Sequence, residues 1–347
     1  MPRVSPENPT FKLSICITTR NRAAYIGPTL DSIIEQVTDD CEIVIVDGAS
    51  TDGTEKVVSQ YADRFAHLIY LRQEINNGID RGFNQAVEHA RGEYFWLMPD
   101  DDYLKPGAIA TVLNALRRDY SLIVVNVEYR TLDMSAVLQE SDLTITSDCE
   151  FAPMESDQLF ETCWKLIRYS GAIVMKRAIW LARERELYYD SYWMDVAVVF
   201  QERLPGTTLV IATPLISVRM DNQSWLSHIF KVFYVTWPSL VRSLPLSDSV
   251  KKEACADDPS HRISFLLLVR AAGQYSLVEY REYIRPRLHS ITERASAKLV
   301  AILPRVILNV CLVLYYSTIE RKYGRFALLL LTQSPFYIRS RHSVQKA

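Results

Sequence analysis

Short apolar runs alternate with amphipathic stretches over the first 130 positions of the chain. Leu13-Ser14-Ile15-Cys16-Ile17-Thr18 closes on the polar cluster Thr19-Arg20-Asn21-Arg22, which predicts a strand and the loop after it. Residues 25–36 then place Ile26, Leu30, Ile33 and Ile34 on one helical face. The cycle repeats. Glu42 to Asp47 is a nearly all-apolar strand broken by Gly48-Ala49-Ser50-Thr51-Asp52-Gly53, and a helix capped by Thr51 or Asp52 is expected through about Phe65. A third strand is expected at His67 to Leu71, a third helix at Gly82 to Arg91, and a fourth strand at Tyr94 to Met98. After a helix at 106–118, strands are expected at Ile123 to Val127 and at Gly171 to Met175, the second followed by a helix through about Glu186. Residues 140–160 read as a loop, and Val196 to Leu204 as a helix. From about Met220 the pattern changes to helices rich in Leu, Val, Tyr and Arg, with no internal repeat.

Apolar strands separated by amphipathic helices predict an α/β fold whose mostly parallel sheet is buried on both faces. Such sheets bind ligands beyond the carboxyl ends of their strands. The polar clusters Thr18-Thr19-Arg20, Asp47 and Asp100-Asp101-Asp102 all lie at those ends, so three separate strand ends converge on one rim. Adjacent carboxylates repel one another unless a cation or hydrogen-bond donors offset the charge. A divalent ion with oxygen ligands does so, and bridges to nucleotide phosphates. The plainer alternative is a solvated turn, with Asp102 capping the helix near Pro106. Asp47 can accept a hydrogen bond from a nucleobase or ribose, or only shape its turn. Arg20 and Arg22 follow strand one, where one guanidinium can meet a diphosphate and the other stay on the surface. Arg81 and Asn84 open a helix after the Asn76-Asn77-Gly78 turn, again within reach of a diphosphate or of solvent. Tyr189 to Asp195 mixes aromatics with Asp190 and Asp195 ahead of an apolar helix. Aromatic rings face sugars, and a carboxylate beside them can act as general base on a hydroxyl. Asp195 as a helix cap is the other reading.

Composition changes the picture at the C-terminal end. With 48% hydrophobic and 23% charged residues, the 347-residue chain has ordinary globular make-up and room for a large domain with an appendage. The net charge of -2 conceals an asymmetry: Arg281 to the end holds 12 Lys and Arg against 3 Asp and Glu, leaving 27 basic and 38 acidic residues elsewhere. Leu299 to Tyr316 is apolar apart from Pro304, Arg305 and Asn309, and that Pro and Arg argue against a clean transmembrane helix. Lys322-Tyr323-Gly324-Arg325, Phe326 to Leu331, Arg339 and Arg341 repeat the basic and apolar mixture. An interfacial membrane anchor is expected over 221–347, with a helical core or a homo-oligomer interface as the other reading. Cys16, Cys41, Cys149, Cys163, Cys255 and Cys311 are scattered, which fits a reducing compartment rather than a disulfide framework or zinc site. Residues 1–10 are polar and proline-rich, without the apolar run of a signal peptide, and are expected to be disordered. The protein is expected in the cytoplasm, peripheral on the inner face of the cell membrane, with no nucleic-acid partner.

Taken together, Leu13 to Arg22, Ile43 to Thr54, Asn77-Gly78 with Arg81 and Asn84, then Gly92-Glu93-Tyr94, Trp96-Leu97 and Asp100-Asp101-Asp102 resemble, in order and spacing, the family 2 inverting glycosyltransferases. Residues 170 to 200 are more loosely similar to the abequosyltransferase-type enzymes of bacterial O-antigen assembly. The resemblance implies a GT-A fold over 11–220, a nucleoside-diphosphate sugar donor, Mn²⁺ or Mg²⁺, and inversion by direct displacement. It implies that Thr18, Thr19, Arg20 and Asp47 hold the nucleoside and Arg81 the nucleotide side of the site. Asp101 becomes the metal ligand, Asp100 a ribose or phosphate contact, Asp102 a second-shell or alternative ligand, and Asp195 the base, with Asp190 as the alternative. Three positions depart from the family pattern: Gly48 replaces an acid after Asp47, Pro99 the first aspartate of the metal motif, and Met194 the acidic neighbour of Asp195. With the basic tail, these features predict transfer to a polyprenyl-diphosphate-linked oligosaccharide. A protein or soluble acceptor, or an inactive binding module, are the alternatives. A Rossmann dehydrogenase is disfavoured, since no G-x-G-x-x-G follows the first strand.

Overall fold

A computed structural model describes residues 11–222, 228–255, 262–318 and 325–338. The first ten residues, expected to be disordered, and the tail positions Lys322, Tyr323, Gly324, Arg339 and Arg341 lie outside the described residues. The chain divides into two compact units, one running to Asn222 and including Ser243–Lys251, the other formed by Gln223–Arg242 and Lys252–Ala347.

The first unit is built on one sheet. Its strands are β1 (Phe11–Thr19), β2 (Cys41–Asp47), β3 (Leu68–Arg72), β4 (Gly92–Met98), β5 (Tyr103–Leu104), β6 (Leu122–Arg130), β7 (Val137–Gln139), β8 (Cys149–Phe151), β9 (Ile173–Lys176) and β10 (Thr208–Arg219). They run in the order β3-β2-β1-β4-β9-β6-β10-β5, with β7 beside β6 and β8 beside β10. The pairs β3–β2, β2–β1 and β1–β4 are parallel, β9 is antiparallel to both its neighbours, and β6 and β10 are parallel. Helices α1 (Ile26–Ile34), α2 (Thr54–Ala62), α3 (Ile79–His89), α4 (Ala108–Ala115), α5 (Ser156–Cys163), α6 (Arg177–Ala182) and α7 (Met194–Phe200) connect them. Leu13, Ile15, Cys16 and Ile17 of β1 and Tyr94 to Met98 of β4 are wholly buried, as a sheet covered on both faces requires. The register sets Thr19 opposite Asp47 and Asp47 opposite Arg72, so three strands end level and their loops share one rim.

Two sequence expectations meet a different structure. Residues 140–160 are not all loop, for they contain β8 and the start of α5. β10 falls where no strand is expected, although Leu209-Val210-Ile211 and Leu215-Ile216 are apolar runs of strand type. Pro214 sits inside it, and its register on β6 shifts between Ile211 and Ile216. Proline removes a ladder donor and is tolerated at such an irregularity, which hides the strand from pattern reading.

The second unit is helical. Its helices are α8 (Ile229–Lys231), α9 (Trp237–Ser243), α11 (Ile263–Ala271), α12 (Leu277–Glu279), α13 (Ile291–Ile302), α14 (Arg305–Thr318) and α15 (Arg325–Thr332), while α10 (Asp248–Ala254) begins in the first unit's Ser243–Lys251. Leu266, Val269, Tyr275, Ile284, Ala297 and Leu331 anchor the unit's core. Ser290 and Glu293 form a capping box at the start of α13. At Leu303-Pro304 the chain turns by 98° into α14. The buried Arg270 holds that corner, donating to the Leu303 carbonyl from Nε (2.9 Å) and Nη2 (2.7 Å) and to the Tyr275 carbonyl from Nη1 (2.9 Å). A guanidinium there meets the negative end of the α13 dipole. Among the described residues no single helix is long and apolar enough to cross a membrane, and only the bent α13–α14 pair has the length and composition together. Leu299, Ile302, Val306, Ile307, Val310 and Leu314 are exposed along that pair.

Candidate active site

The loops after β1 and β2 are laced together by polar contacts. Ser50 Oγ accepts the Asn21 backbone N–H (2.8 Å), Thr54 Oγ1 that of Arg22 (2.9 Å), Asp52 Oδ2 that of Ala23 (3.0 Å), and Asn21 Oδ1 that of Thr51 (2.8 Å). The lacing fixes the base of Arg22, whose guanidinium reaches Asp100 (3.4 Å) and Asp101 (3.3 Å). Of the two arginines after β1, Arg22 faces the aspartates while Arg20 is exposed.

The three aspartates have three environments. Asp100 is 8% exposed. Burial and the charge of Asp101 raise its proton affinity, against Arg22 and the Thr19 hydroxyl, which favour the charged form. Asp101 accepts from Asn222 Nδ2 (2.8 Å), and burial raises it too, against Arg22, Arg219 and Asn222. Asp102 is turned into the fold. Its Oδ1 accepts the Arg219 backbone N–H (2.6 Å) and its Oδ2 the Tyr169 hydroxyl (2.7 Å), at 2% exposure. The expectation of Asp102 as a metal ligand therefore meets a carboxylate whose two oxygens already tie β4 to β10 and to the turn before β9.

Among the described residues no group of three or more His, Cys, Asp or Glu side chains is arranged for a metal ion. The local chemistry nevertheless suits a hard cation that keeps most of its ligands from phosphate and water. Two crowded carboxylates share one guanidinium, and Asp101 with Asp100 supplies the oxygen donors such an ion takes.

The residues expected to hold a nucleoside lie along the same rim. Asp47 is fully buried, with Oδ1 accepting the Ser50 N–H (2.8 Å) and Oδ2 the Tyr70 hydroxyl (2.5 Å), so it shapes its own turn. Gly48, where the family carries an acid, is a matter of space: a Cβ there would stand 3.0 Å from Asn76 Oδ1. Thr18 is packed against α3, since a Cβ on Gly82 would lie 2.3 Å from its hydroxyl.

Across the rim, the first turns of α3 meet the segment that leads into α7. Arg81 pairs with Asp190 (2.6 Å) and lies over the Tyr189 ring (4.5 Å to its centre). Asn84 donates to the Tyr189 hydroxyl (2.9 Å) and accepts from Trp180 Nε1 (3.1 Å). Arg81 is thus engaged with the loop that enters α7. Asp195 is 5% exposed; burial pushes its carboxyl up to about 6, against donors that include the Ser170 hydroxyl. A carboxylate with that affinity, at a rim where a hydroxyl would react, is suited to take a proton near neutrality. Tyr169 and Ser170 are neighbours, one bonded to Asp102 and the other to Asp195. The Gly171 carbonyl after them accepts from Trp96 Nε1 of β4 (2.8 Å), so one turn holds Asp102 and Asp195 in register.

Positive φ at non-glycine residues falls repeatedly on these loops, at Asn21, Ala49, Asp190, Tyr192 and Asp221. Such backbone persists only where surrounding contacts impose it, and it gathers at functional sites. Sequence reading missed Arg219, Asn222 and Tyr169. Arg219 stacks on Tyr25 (5.2 Å) and Tyr103 (5.1 Å) while its Nε donates to the Asp101 carbonyl (2.9 Å). The one available signal was a polar Arg-Met-Asp-Asn run after an apolar stretch, and that needed β10 to be recognised first.

The level strand ends, the acid-rich rim after β4 and the antiparallel β9 define a GT-A glycosyltransferase fold. Residues 14–177 match the family model described as Glycosyl transferase family 2, and the chain carries a domain of that family. Abequosyltransferase RfbV of Salmonella typhimurium is 27% identical over 226 residues, 61% of this chain and 68% of that protein. Chondroitin synthase of Escherichia coli is 32% identical over 121 residues, 35% of this chain but 18% of that enzyme. Among solved structures, TarS 1-349 of S. aureus in complex with UDP superposes with a TM-score of 0.55 at 16% identity, covering 92% of this chain and 89% of that one. Mannosyltransferase PcManGT from Pyrobaculum calidifontis, in complex with GDP-Man and Mn²⁺, gives 0.51 at 16% identity, covering 95% and 88%. At these identities the structural likeness concerns the fold.

Proposed function

We propose that the protein is an inverting glycosyltransferase that moves one sugar from a nucleoside-diphosphate sugar to a hydroxyl of a polyprenyl-diphosphate-linked oligosaccharide, in the assembly of O-antigen or another surface polysaccharide. The observation that carries the reading is the pair Asp100, buried, and Asp101, half-buried, which share the Arg22 guanidinium at the carboxyl rim of a family 2 domain. The abequosyltransferase relative supports the polysaccharide class, and the UDP- and GDP-Man-bound neighbours support a nucleotide-sugar donor. Asp101, with Asp100 beside it, would hold Mn²⁺ or Mg²⁺, which supplies positive charge to the diphosphate leaving group.

The chain's own residues do the rest. Thr19 and Asp47 border the nucleoside side, Arg20 stands exposed where a diphosphate enters, and Arg22 offers that diphosphate a guanidinium. Asp195 takes the proton from the acceptor hydroxyl as its oxygen bonds to the anomeric carbon. The bond from that carbon to the diphosphate breaks on the opposite face, so the configuration inverts.

The exposed apolar side of α13–α14 supports attachment to the cytoplasmic membrane surface, where a lipid-linked acceptor resides. The deciding experiment is a thermal-shift screen with UDP, CDP, GDP and dTDP, each with Mn²⁺ and with EDTA. One diphosphate is expected to raise the unfolding temperature with Mn²⁺ only, because binding stabilises the folded state. A flat response to all four would remove the donor assignment.

A further inference from the structure

Asp80, the second residue of α3, is 6% exposed and has no part in the scheme above. A carboxylate so nearly buried is costly unless donors meet it. Its Oδ2 accepts the Tyr192 backbone N–H (3.1 Å), and the Met194 backbone N–H also donates to it. Both donors belong to the loop that enters α7, the second of them one residue before Asp195. That loop holds Asp190 at φ 64° and Tyr192 at φ 68°, backbone that must be imposed from outside. Arg81, the next residue of α3, grips the same loop through Asp190 at 2.6 Å. An acid in a helix's first turn is also favoured by the helix dipole, but that needs neither burial nor two donors from a distant loop.

We propose that Asp80 is the positioning residue for the base: by holding the Tyr192 and Met194 amides against the first turn of α3, it sets where Asp195 stands beside the acceptor. The inference rests on the assignment of Asp195 as base. The charged and titratable groups around the pair are Arg81 from α3 and Asp190 and Tyr192 from the loop, with the Ser170 hydroxyl on Asp195. Burial, with the charges of Asp195 and Asp190, raises Asp80 to about 7, so the two carboxyls titrate close together and near neutrality.

The test compares full-length wild type with Asp80→Asn, Asp80→Ala and Asp195→Asn. Three quantities are measured: thermal unfolding, hydrogen exchange over residues 188–196, and Mn²⁺-dependent hydrolysis of UDP-, CDP-, GDP- and dTDP-hexoses by water. Asp80→Asn is expected to unfold at or above the wild-type temperature, since it removes a buried charge. Its kcat should fall about tenfold at unchanged donor KM, because the base is displaced while the donor site is untouched. Asp80→Ala should speed exchange at Tyr192 and Met194. Wild-type kcat in Asp80→Asn, or a joint loss of stability and activity, overturns this inference alone. Full activity in Asp195→Asn overturns the base assignment and this inference with it.

Discussion

Asp102 gives one carboxylate oxygen to the Arg219 amide and the other to the Tyr169 hydroxyl, while its neighbour Asp101 meets the Arg22 guanidinium and the Asn222 side-chain amide. Removing each side chain should therefore cost different things. Asp102→Ala strands a buried amide and a buried phenol, a loss on the order of 2–3 kcal/mol of stability. Asp101→Ala removes a charge from a crowded cluster, so its stability should stay near wild type while Mn²⁺-dependent turnover disappears. Guanidinium unfolding and donor turnover, measured on both variants, separate the two roles. Equal unfolding curves for Asp102→Ala and wild type would contradict the structural role given to Asp102. The positions of Thr19, Asp47 and Asp100 are legible in the sequence because each directly follows or ends an apolar run. Which oxygen faces which donor is not, because the partners Tyr169 and Arg219 lie 67 and 117 residues away from Asp102.

α3 shows how an element's packing carries the site. Its Gly82 is there for proximity, since a methyl group would meet the Thr18 hydroxyl at 2.3 Å and push the helix from the end of β1. Gly82→Ala should cost about 1–3 kcal/mol through that clash, despite the usual helix advantage of alanine. Because the same helix carries Asp80, Arg81 and Asn84, turnover should fall with it. Thr18→Ala in the same chain should recover part of both losses, and a double-mutant cycle on unfolding free energy measures the coupling. At this scale β1 to β4 and their helices can be read from periodicity, since each strand is a short apolar run between turn residues. In β10 the two apolar runs are legible, but Pro214 and the register shift separate them, and only pairing with β6, β8 and β5 shows them to be one strand.

For the whole molecule, the exposed apolar side of α13–α14 is the feature that bears on where the enzyme works. Truncating the chain after about residue 290 would also delete Ala297, Val300 and Leu331 from the core of the helical unit. A cleaner variant changes Leu299, Ile302, Ile307 and Leu314 to serine, since all four are exposed. It is expected to stay folded by circular dichroism and to stop floating with anionic phospholipid vesicles in a density gradient. Undiminished flotation would leave the membrane reading without support, and conversion of a wild-type dimer to a monomer would favour the oligomer alternative.

The bonds from Asp102 also bear on how the chain reaches its native state. The contact with Arg219 closes a loop of 117 residues, so it joins β5 and β10, neighbours in the sheet that lie far apart along the chain. Closing so long a loop costs entropy that is recovered only after β4, β6 and β10 have paired. The carboxylate cluster is therefore expected among the last parts to assemble, and a chain that ends before Arg219 has β1 to β9 without the clasp that holds Asp102 to β10.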